Sequence, residues 1–570
     1  MEEEQTKENF YGKLKKAGLI PKLWIIMKEE GYSKDSFFKD FTAGIIVGII
    51  ALPLSIALAV ASGVTPEKGL FTAVVAGLLI SLFGGSRVQI GGPTGAFIVI
   101  VYGIVEKYGV DGLVIATLMA GFFLILMGLL QLGSIIKFIP YPITTGFTNG
   151  IAIAIAATQI KDFFGMQIEK VPSEFIEKIV IISKNFNTIN YEALILAVVS
   201  IGIIILWPRV NKKIPGSLIA IIVATAAVII FKMDVETIGS KFGDLASTLP
   251  IPSIPNVEFA TIRNLVAPAL TIAILAGIES LLSAVVADGM TGCHHKSNME
   301  LVAQGIGNVG SALFGGIPAT GAIARTAANI KNGGKTPIAG IVHALTVLLI
   351  MIILMPYAKL IPMAALAAIL MVVAYNMGEW EEFKEIFRAP KSDALVFLLT
   401  FLLTVFFDLV TAIEVGMILA AFLFMKRMSD VTNIKSIEES EESDSVDLEG
   451  AIFHYNKSLL KKVHIYEING PFFFGAADKF LEVSNQMNEN YKVLILRMGK
   501  VPAMDATGFH ALEIIYNMCK NRKIKLIFSN MQEQPYKILL KYNFIEKVGE
   551  ENFCETIDEA VETAAEYIKE

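Results

Sequence analysis

From residue 41 to residue 428 the chain is a succession of apolar runs separated by short polar turns, many of the runs long enough to cross a bilayer. Length and periodicity predict fourteen helical segments: 41–61, 67–84, 95–107, 111–131, 145–162, 191–208, 215–232, 263–287, 298–314, 321–331, 337–355, 363–376, 393–408 and 410–427. Two of these, 95–107 and 321–331, are too short to span, and they hold matching places in the two halves. Between the spans, 163–190 reads as a mixed-charge loop and 233–262 as one rich in Pro, Ser and Gly. The run Glu379-Trp380-Glu381-Glu382-Phe383-Lys384 predicts a short amphipathic helix within 379–390.

The halves also match residue by residue. Leu52–Gly63 runs against Ile278–Gly289 at a shift of 226 positions, and the same shift carries Thr94-Gly95-Ala96 onto Thr320-Gly321-Ala322. Each Thr-Gly-Ala follows a Gly-Gly pair and a proline. Duplicated halves with Gly/Pro-interrupted helices at matching places are the pattern of secondary transporters, whose sites lie where the broken helices meet.

Prolines and glycines in Gly91-Gly92-Pro93-Thr94-Gly95 and Gly315-Gly316-Ile317-Pro318-Ala319-Thr320-Gly321 favour extended chain feeding a new helix. Thr94 and Thr320 are placed to cap the helices that follow, which are expected to start near Gly95 and Gly321. In an inverted repeat the two half-helices aim their N-termini at one another. Each end offers free N–H groups and about half a positive charge, a pocket for an anion of a few heavy atoms. Arg325, one turn into the second half-helix, adds a full positive charge.

Glu279 follows an uncharged run, Leu265–Ile278, so it lies deep in its span. An ionisable side chain there is a functional candidate by default, and Ser283, four residues on, shares its face. A carboxyl balanced between low dielectric and a nearby cation such as Arg325 suits a group that takes a proton as the anion enters. A Glu279–Arg325 pair holding the halves together is the competing, compatible reading. Other polar residues carry less. His294-His295 point apart on a helix and make no metal site; Asp408 and Glu414 read as turn residues, and Asp162 as the partner of Lys161.

Composition agrees: the chain is 54% hydrophobic and 18% charged, against about 25% charged for an average soluble protein. Residues 1–40 carry eight Lys and eight Asp or Glu, and read as an amphipathic cytoplasmic entry rather than a cleaved signal. Basic residues at Arg87, Lys137, Arg209-Lys212-Lys213, Lys331-Lys335, Arg388-Lys391 and Lys426-Arg427 share the N-terminal side, which puts both termini in the cytoplasm and the protein in the cell membrane. Cys293, Cys519 and Cys554 have neither disulfide nor metal spacing. No catalytic constellation is present, and neither a cofactor nor a nucleic-acid partner is expected. Residues 429–450 read as an acidic linker. Beyond it, strand-like runs at 463–468, 493–496 and 524–528 alternate with helix-like stretches at 476–488, 506–519 and 535–541, a small α/β domain over 451–570.

Three motifs, Ala51-Leu52-Pro53-Leu54-Ser55-Ile56-Ala57, Gly92-Pro93-Thr94-Gly95 and Thr320-Gly321-Ala322-Ile323-Ala324-Arg325-Thr326, resemble those of the sulfate permease (SulP) family of anion transporters, relatives of the motor protein prestin. Met504-Asp505-Ala506-Thr507-Gly508 is similar to the STAS domain these proteins carry. The resemblance implies a 7 + 7 inverted repeat with uracil-permease-like core and gate domains, elevator motion in the lipid bilayer, and a homodimer. It implies an anion lying between the third and tenth segments, at Ser55, Thr94, Ala96, Phe97, Glu279, Ser283, Ala322 and Ile323; the half-helix argument adds Gly321 and Arg325 to the anion site, and the buried-carboxyl argument makes Glu279 the coupling group. Sodium-coupled bicarbonate carriers of the family place Asp where Glu279 stands and a hydroxyl where Ile323 stands, so H⁺ is the expected coupling ion. Sulfate, bicarbonate and small dicarboxylates all stay open as substrates. Thr507 matches a turn phosphorylated in bacterial STAS proteins, and equally fits a helix N-cap. A Na⁺-coupled bicarbonate symporter and an uncoupled anion channel, exchanger or motor of the same architecture are the alternatives; Ala96, Phe97, Ala322 and Ile323 offer little grip for a nucleobase.

Overall fold

The computed structural model describes residue 12 and residues 17–134, 140–168, 171–211, 214–256, 258–407, 409–436, 462–473 and 491–569. The chain divides into two compact units, Met1–Ile418 and Leu419–Glu570. Of the basic residues expected in the N-terminal entry, Lys13, Lys15 and Lys16 lie outside the described residues, as do Lys137, Lys212 and Lys213. Lys22–Ile25 forms a short helix that runs into a π-helical turn, Ile26–Glu30.

Helical segments fall at all fourteen expected places. The first half holds α1 (Lys34–Ala61), α2 (Pro66–Phe83), α3 (Ile98–Leu129, entered through a 3-10 turn at Gly95–Phe97) and α4 (Tyr141–Phe163). A loop helix, α5 (Phe175–Lys184), precedes α6 (Tyr191–Val210) and α7 (Gly216–Phe231). Within the second loop lie α8 (Ile238–Phe242) and α9 (Phe259–Asn264). The second half follows with α10 (Val266–Thr291), α11 (Ser297–Leu313), α12 (Ile323–Lys331), α13 (Ile338–Ala358) and α14 (Met363–Met377). The amphipathic α15 (Trp380–Glu385) leads to α16 (Lys391–Phe406) and α17 (Leu409–Val431). Among the described residues seven helices are long and apolar enough to cross a membrane outright, counting Gly95–Leu129 as one.

That stretch is two segments. Gly109 has φ 70° and ψ −175°, a conformation that breaks the helical ladder and that glycine adopts without a Cβ clash. It ends the short first piece where the sequence expected a break. The other short segment, α12, has nine residues.

Two bundles result. In one, α1 packs on α2 and α13, α2 on α11 and α13, and α3 on α10 and α11. Close backbone approach sets the α3–α11 contact, because a Cβ on Gly121 would lie 2.8 Å from the Gly305 carbonyl oxygen. In the other, α4 packs on α14 and α16, and α6 on α7 and α14. Exposed Val198, Ile205, Ile229, Ile230, Leu349 and Ile353 give α6, α7 and α13 the apolar outer faces that a bilayer stabilises.

Two polar expectations resolve differently. Asp162 pairs with Lys241 at 3.4 Å rather than with its neighbour Lys161, since adjacent residues on a helix diverge. Glu414 lies exposed within α17 rather than in a turn. Asp408 lies outside the described residues. Neither long loop is featureless, and α5 is fastened to the first half-helix. The Tyr102 hydroxyl donates to the Val171 carbonyl at 2.5 Å, and the Ser173 N–H donates to Glu106 Oε2 at 3.1 Å. Lys178 of α5 is buried with its ammonium 5.8 Å from the Tyr102 ring centroid. Burial pushes its pKa down to about 8, with the nearby Glu106 charge acting the other way. Between about 8 and the ordinary lysine value near 10.4 the unfolded loop binds more protons, so docking of the loop strengthens as pH rises through that window. Lys178→Met is expected to flatten this dependence and to raise hydrogen-exchange protection of residues 171–184 at pH 7; unchanged exchange would contradict it.

In the second unit β3 (Asn433–Ser436) runs antiparallel to β4 (Val463–Asn469), and β5 (Val493–Lys500), β6 (Lys525–Ser529) and β7 (Phe553–Cys554) add in parallel, in the order β3-β4-β5-β6-β7. β3 lies inside the stretch expected as linker, and α17 also extends into it to Val431; residues 437–461 lie outside the described residues. So does the expected helix at 476–488. One face of the sheet is covered by α18 (Ala506–Asn521), α19 (Glu533–Lys541) and α20 (Phe544–Val548) through Leu512, Ile515, Leu539 and Phe544. The other face is covered by α21 (Ile557–Lys569) through Val561 and Ala564. Asp505, not Thr507, caps α18, its Oδ1 accepting from the Gly508 N–H at 2.8 Å. Thr507 stands exposed in the first turn of that helix.

Candidate anion-binding site

The two breaks meet. β1 (Gly91–Gly92) pairs antiparallel with β2 (Thr320–Gly321), with Gly91 opposite Gly321 and Gly92 opposite Thr320. The Ala322 N–H donates to the Ile90 carbonyl at 2.9 Å. Pro93 keeps Gly92 extended and Gly92 has φ 155°, so the chain turns from ladder to helix within three residues. The first half-helix starts at Gly95, as expected. The second starts at Ile323, two residues beyond the expected Gly321, because Thr320 and Gly321 are used in the ladder.

Neither threonine caps its helix. Thr94 precedes the first half-helix, but its hydroxyl donates to Glu279 Oε2 at 2.8 Å. The Thr320 hydroxyl donates to the Ala276 carbonyl at 2.8 Å, and the N-cap of α12 is Ala322, which has no side chain able to accept. Both half-helices therefore begin without a side-chain cap, leaving their first N–H groups free of side-chain acceptors. The competing reading, a Glu279–Arg325 pair, is not what the structure shows. Glu279 meets Thr94, while Arg325 Nη2 donates to the Pro93 carbonyl at 2.6 Å and so ties the second half-helix to the first break.

Thr94, Gly95 and Glu279 are half-buried, and Ile323 is 43% exposed. Ala96, Phe97, Gly321 and Ala322 are buried behind them. Ser283 is fully buried and its hydroxyl donates to Thr326 Oγ1 at 3.3 Å, so it supports α12 from beneath. Ser55 is also buried, two residues after Pro53 in α1, with no protein partner for its hydroxyl. Gly95 faces the second bundle: a Cβ there would lie 3.3 Å from Ile155 Cδ1 of α4 and 3.6 Å from Met377 Sδ of α14.

A set of buried polar side chains that sequence reasoning passed over holds the breaks in place. Glu300 of α11 is fully buried and accepts from the Gly85 and Ser86 N–H groups, both at 2.9 Å, from Ser280 Oγ at 3.1 Å and from Gln304 Nε2 at 2.8 Å. Asn308 brackets Ala319, donating to its carbonyl at 2.8 Å and accepting its N–H at 2.9 Å. Ser311 donates to the Ile317 carbonyl at 2.7 Å. Asn329 donates to the Val88 carbonyl at 2.8 Å. Glu300, Gln304, Asn308 and Ser311 recur every three or four residues, so a polar stripe on an otherwise apolar span was the available signal.

Residues 37–400 match the sulfate permease family and residues 455–560 the STAS domain. The chain is 43% identical over 533 residues to "Putative sulfate transporter YvdB" of Bacillus subtilis, covering 93% of this chain and 98% of that protein. It is 30% identical to "Bicarbonate transporter BicA" of Picosynechococcus, covering 92% and 94%. Its fold is similar to that of the murine Slc26a9 anion transporter in the inward-facing state, with a TM-score of 0.85 at 21% identity over 96% of this chain and 94% of that one. With these matches spanning both units, the chain belongs to the sulfate permease family, a transporter of anions rather than an enzyme, with a STAS domain following its membrane-spanning helices.

Proposed function

We propose that this chain carries a small oxyanion or carboxylate, of the sulfate, bicarbonate or dicarboxylate class, across the cell membrane together with H⁺. The observation that carries the reading is the Thr94–Glu279 hydrogen bond at the uncapped start of the first half-helix. An ionised Glu279 there acts as a tethered anion, satisfied by the Thr94 hydroxyl and the positive helix end. When a proton from solution binds the carboxylate, its charge is lost and the helix end is free for the incoming anion. Anion and proton then share the site, which is the requirement for symport. The second helix end and Arg325 supply the remaining positive potential, and Ser55, Ala96, Phe97, Ser283, Gly321, Ala322 and Ile323 shape the walls.

We propose elevator motion on this division: both half-helices belong to the bundle of α1–α3 and α10–α13, and the atoms of the other bundle nearest Gly95, Ile155 Cδ1 and Met377 Sδ, are apolar and offer no bond to break as one bundle moves against the other. We place both termini in the cytoplasm and the protein as a homodimer in the lipid bilayer, with Thr507 open to phosphorylation. A Na⁺-coupled bicarbonate symporter is the second reading; the 30% match to a bicarbonate transporter supports its solute.

Uptake of radiolabelled sulfate, bicarbonate, fumarate and succinate into proteoliposomes, with and without a Na⁺ or a pH gradient, separates the two. The expected result is uptake of at least one of these anions that rises with an inward proton gradient and ignores Na⁺. Uptake that needs Na⁺ and ignores pH would replace the first reading by the second.

A further inference from the structure

At the start of α1 the usual order of burial is reversed: Phe37, Phe38 and Phe41 are exposed, while Asp40 among them is fully buried. Its carboxylate collects four donors. Oδ1 accepts the Lys335 N–H at 2.6 Å and the Thr336 N–H at 3.0 Å. Oδ2 accepts the Thr336 hydroxyl at 2.5 Å and the Tyr32 hydroxyl at 3.0 Å. Lys335 and Thr336 belong to the link between α12 and α13, so Asp40 holds the exit of the second half-helix. The segment before α1 is fastened beside it. The Lys22 N–H donates to the Gly84 carbonyl at 2.8 Å, and Asn298 Nδ2 donates to the Ala17 carbonyl at 3.0 Å. Glu30 pairs with Lys22 at 3.3 Å and with Arg87, whose Nε donates to the Lys335 carbonyl at 3.2 Å.

From Arg87 onward the first break runs alongside α12 and is bonded to it repeatedly. Asn329 Nδ2 donates to the Val88 carbonyl at 2.8 Å, the Ile90 N–H donates to Thr326 Oγ1 at 3.1 Å, and Arg325 Nη2 reaches the Pro93 carbonyl at 2.6 Å. The turn that leaves α12 is closed as well, by the Gly333 and Gly334 N–H groups donating to the Ile330 and Asn329 carbonyls at 3.0 and 2.9 Å. α12 has nine residues, about 13 Å at 1.5 Å per residue, so a shift at Lys335 passes to Ile323 with little bending to absorb it. We propose that Asp40 is a positioning residue for anion transport. Through the Lys335–Thr336 link it sets the angle of α12, and with it the place of the uncapped N–H groups at that helix's start. Tyr32 and the Glu30–Arg87 pair make Ala17–Ser33 part of the same clamp. The consequence for the anion rests on the site reading above, whereas the clamp itself does not.

The test places Asp40→Leu, Asp40→Asn and Tyr32→Phe, each in the full chain, in proteoliposomes with whichever of sulfate, bicarbonate, fumarate or succinate the wild type takes up. Leu loses all four bonds. The half-saturation concentration should rise about tenfold, while the maximal rate per folded protein stays within about twofold. Asn keeps an oxygen for the two N–H groups, and its amide can donate to the two hydroxyls once they rotate to accept. It should return to within about threefold of the wild type. Tyr32→Phe removes a single bond and keeps the test open should the Leu variant fail to fold; a rise of about threefold is expected. Hydrogen exchange of residues 329–336 in nanodiscs, measured without any anion, should quicken about tenfold in the Leu variant and about threefold in Tyr32→Phe. A half-saturation unchanged in every folded variant, or exchange at 329–336 as slow as in the wild type, would overturn the proposal. Failure of all four anions to enter with wild-type protein would instead count against the anion reading, and the exchange measurement would then decide the clamp.

Discussion

Glu279→Gln is expected to abolish anion accumulation driven by a proton gradient while leaving anion binding intact. Gln keeps the shape of the side chain and an oxygen that accepts from the Thr94 hydroxyl, whose bond to Glu279 Oε2 is 2.8 Å long. It cannot exchange a proton with solution. With one proton carried per anion and no membrane potential, a gradient of one pH unit corresponds to about 1.4 kcal/mol and so to about tenfold accumulation. The variant should equilibrate its substrate to a ratio of about one. Binding should also lose its pH dependence, because proton and anion affinities are linked reciprocally. In the wild type the anion should bind more tightly as pH falls, since protonation removes the tethered competitor; in the variant it should bind equally at all pH values. Undiminished accumulation in the Gln variant would show that the coupling proton travels elsewhere.

Arg325→Ala is expected to raise the half-saturation concentration for the transported anion by about tenfold to a hundredfold. Charge-assisted hydrogen bonds contribute about 1.5–3 kcal/mol, and the lost guanidinium both donates to the Pro93 carbonyl at 2.6 Å and adds charge at the start of α12. Arg325→Lys should fall between the two. It restores a point charge but not the planar fork that reaches the Pro93 carbonyl. A saturation curve identical to that of the wild type would remove Arg325 from the site.

Much of the architecture was open to reading from the sequence because membrane spans are written in composition. Fourteen helical segments lie where apolar runs predicted them, and the broken ones were marked by Gly91-Gly92-Pro93 and Gly315-Gly316-Ile317-Pro318. The residue contacts were less legible. Thr94 sits at an N-cap position, and only tertiary packing brings Glu279, 185 residues away in sequence, to take its hydroxyl. Arg325 was expected beside Glu279, yet the Pro93 carbonyl reaches it first. The shift of 226 placed the second helix start at Gly321, but two residues were consumed by pairing with the first half, which no local pattern encodes. The loop helix α5 and the edge strand β3 were hidden for a related reason. Each sits among charged residues, and each is stabilised by contacts distant in sequence: Tyr102 bonding Val171 beside α5, and the β4 backbone for β3.

Residues 91, 92, 320 and 321 join the two halves through main-chain groups rather than through any particular side chain. A lineage of such proteins can therefore exchange the residues around Thr94, Glu279 and Ile323, and with them its preferred solute and driving ion, without rebuilding the joint on which they are mounted.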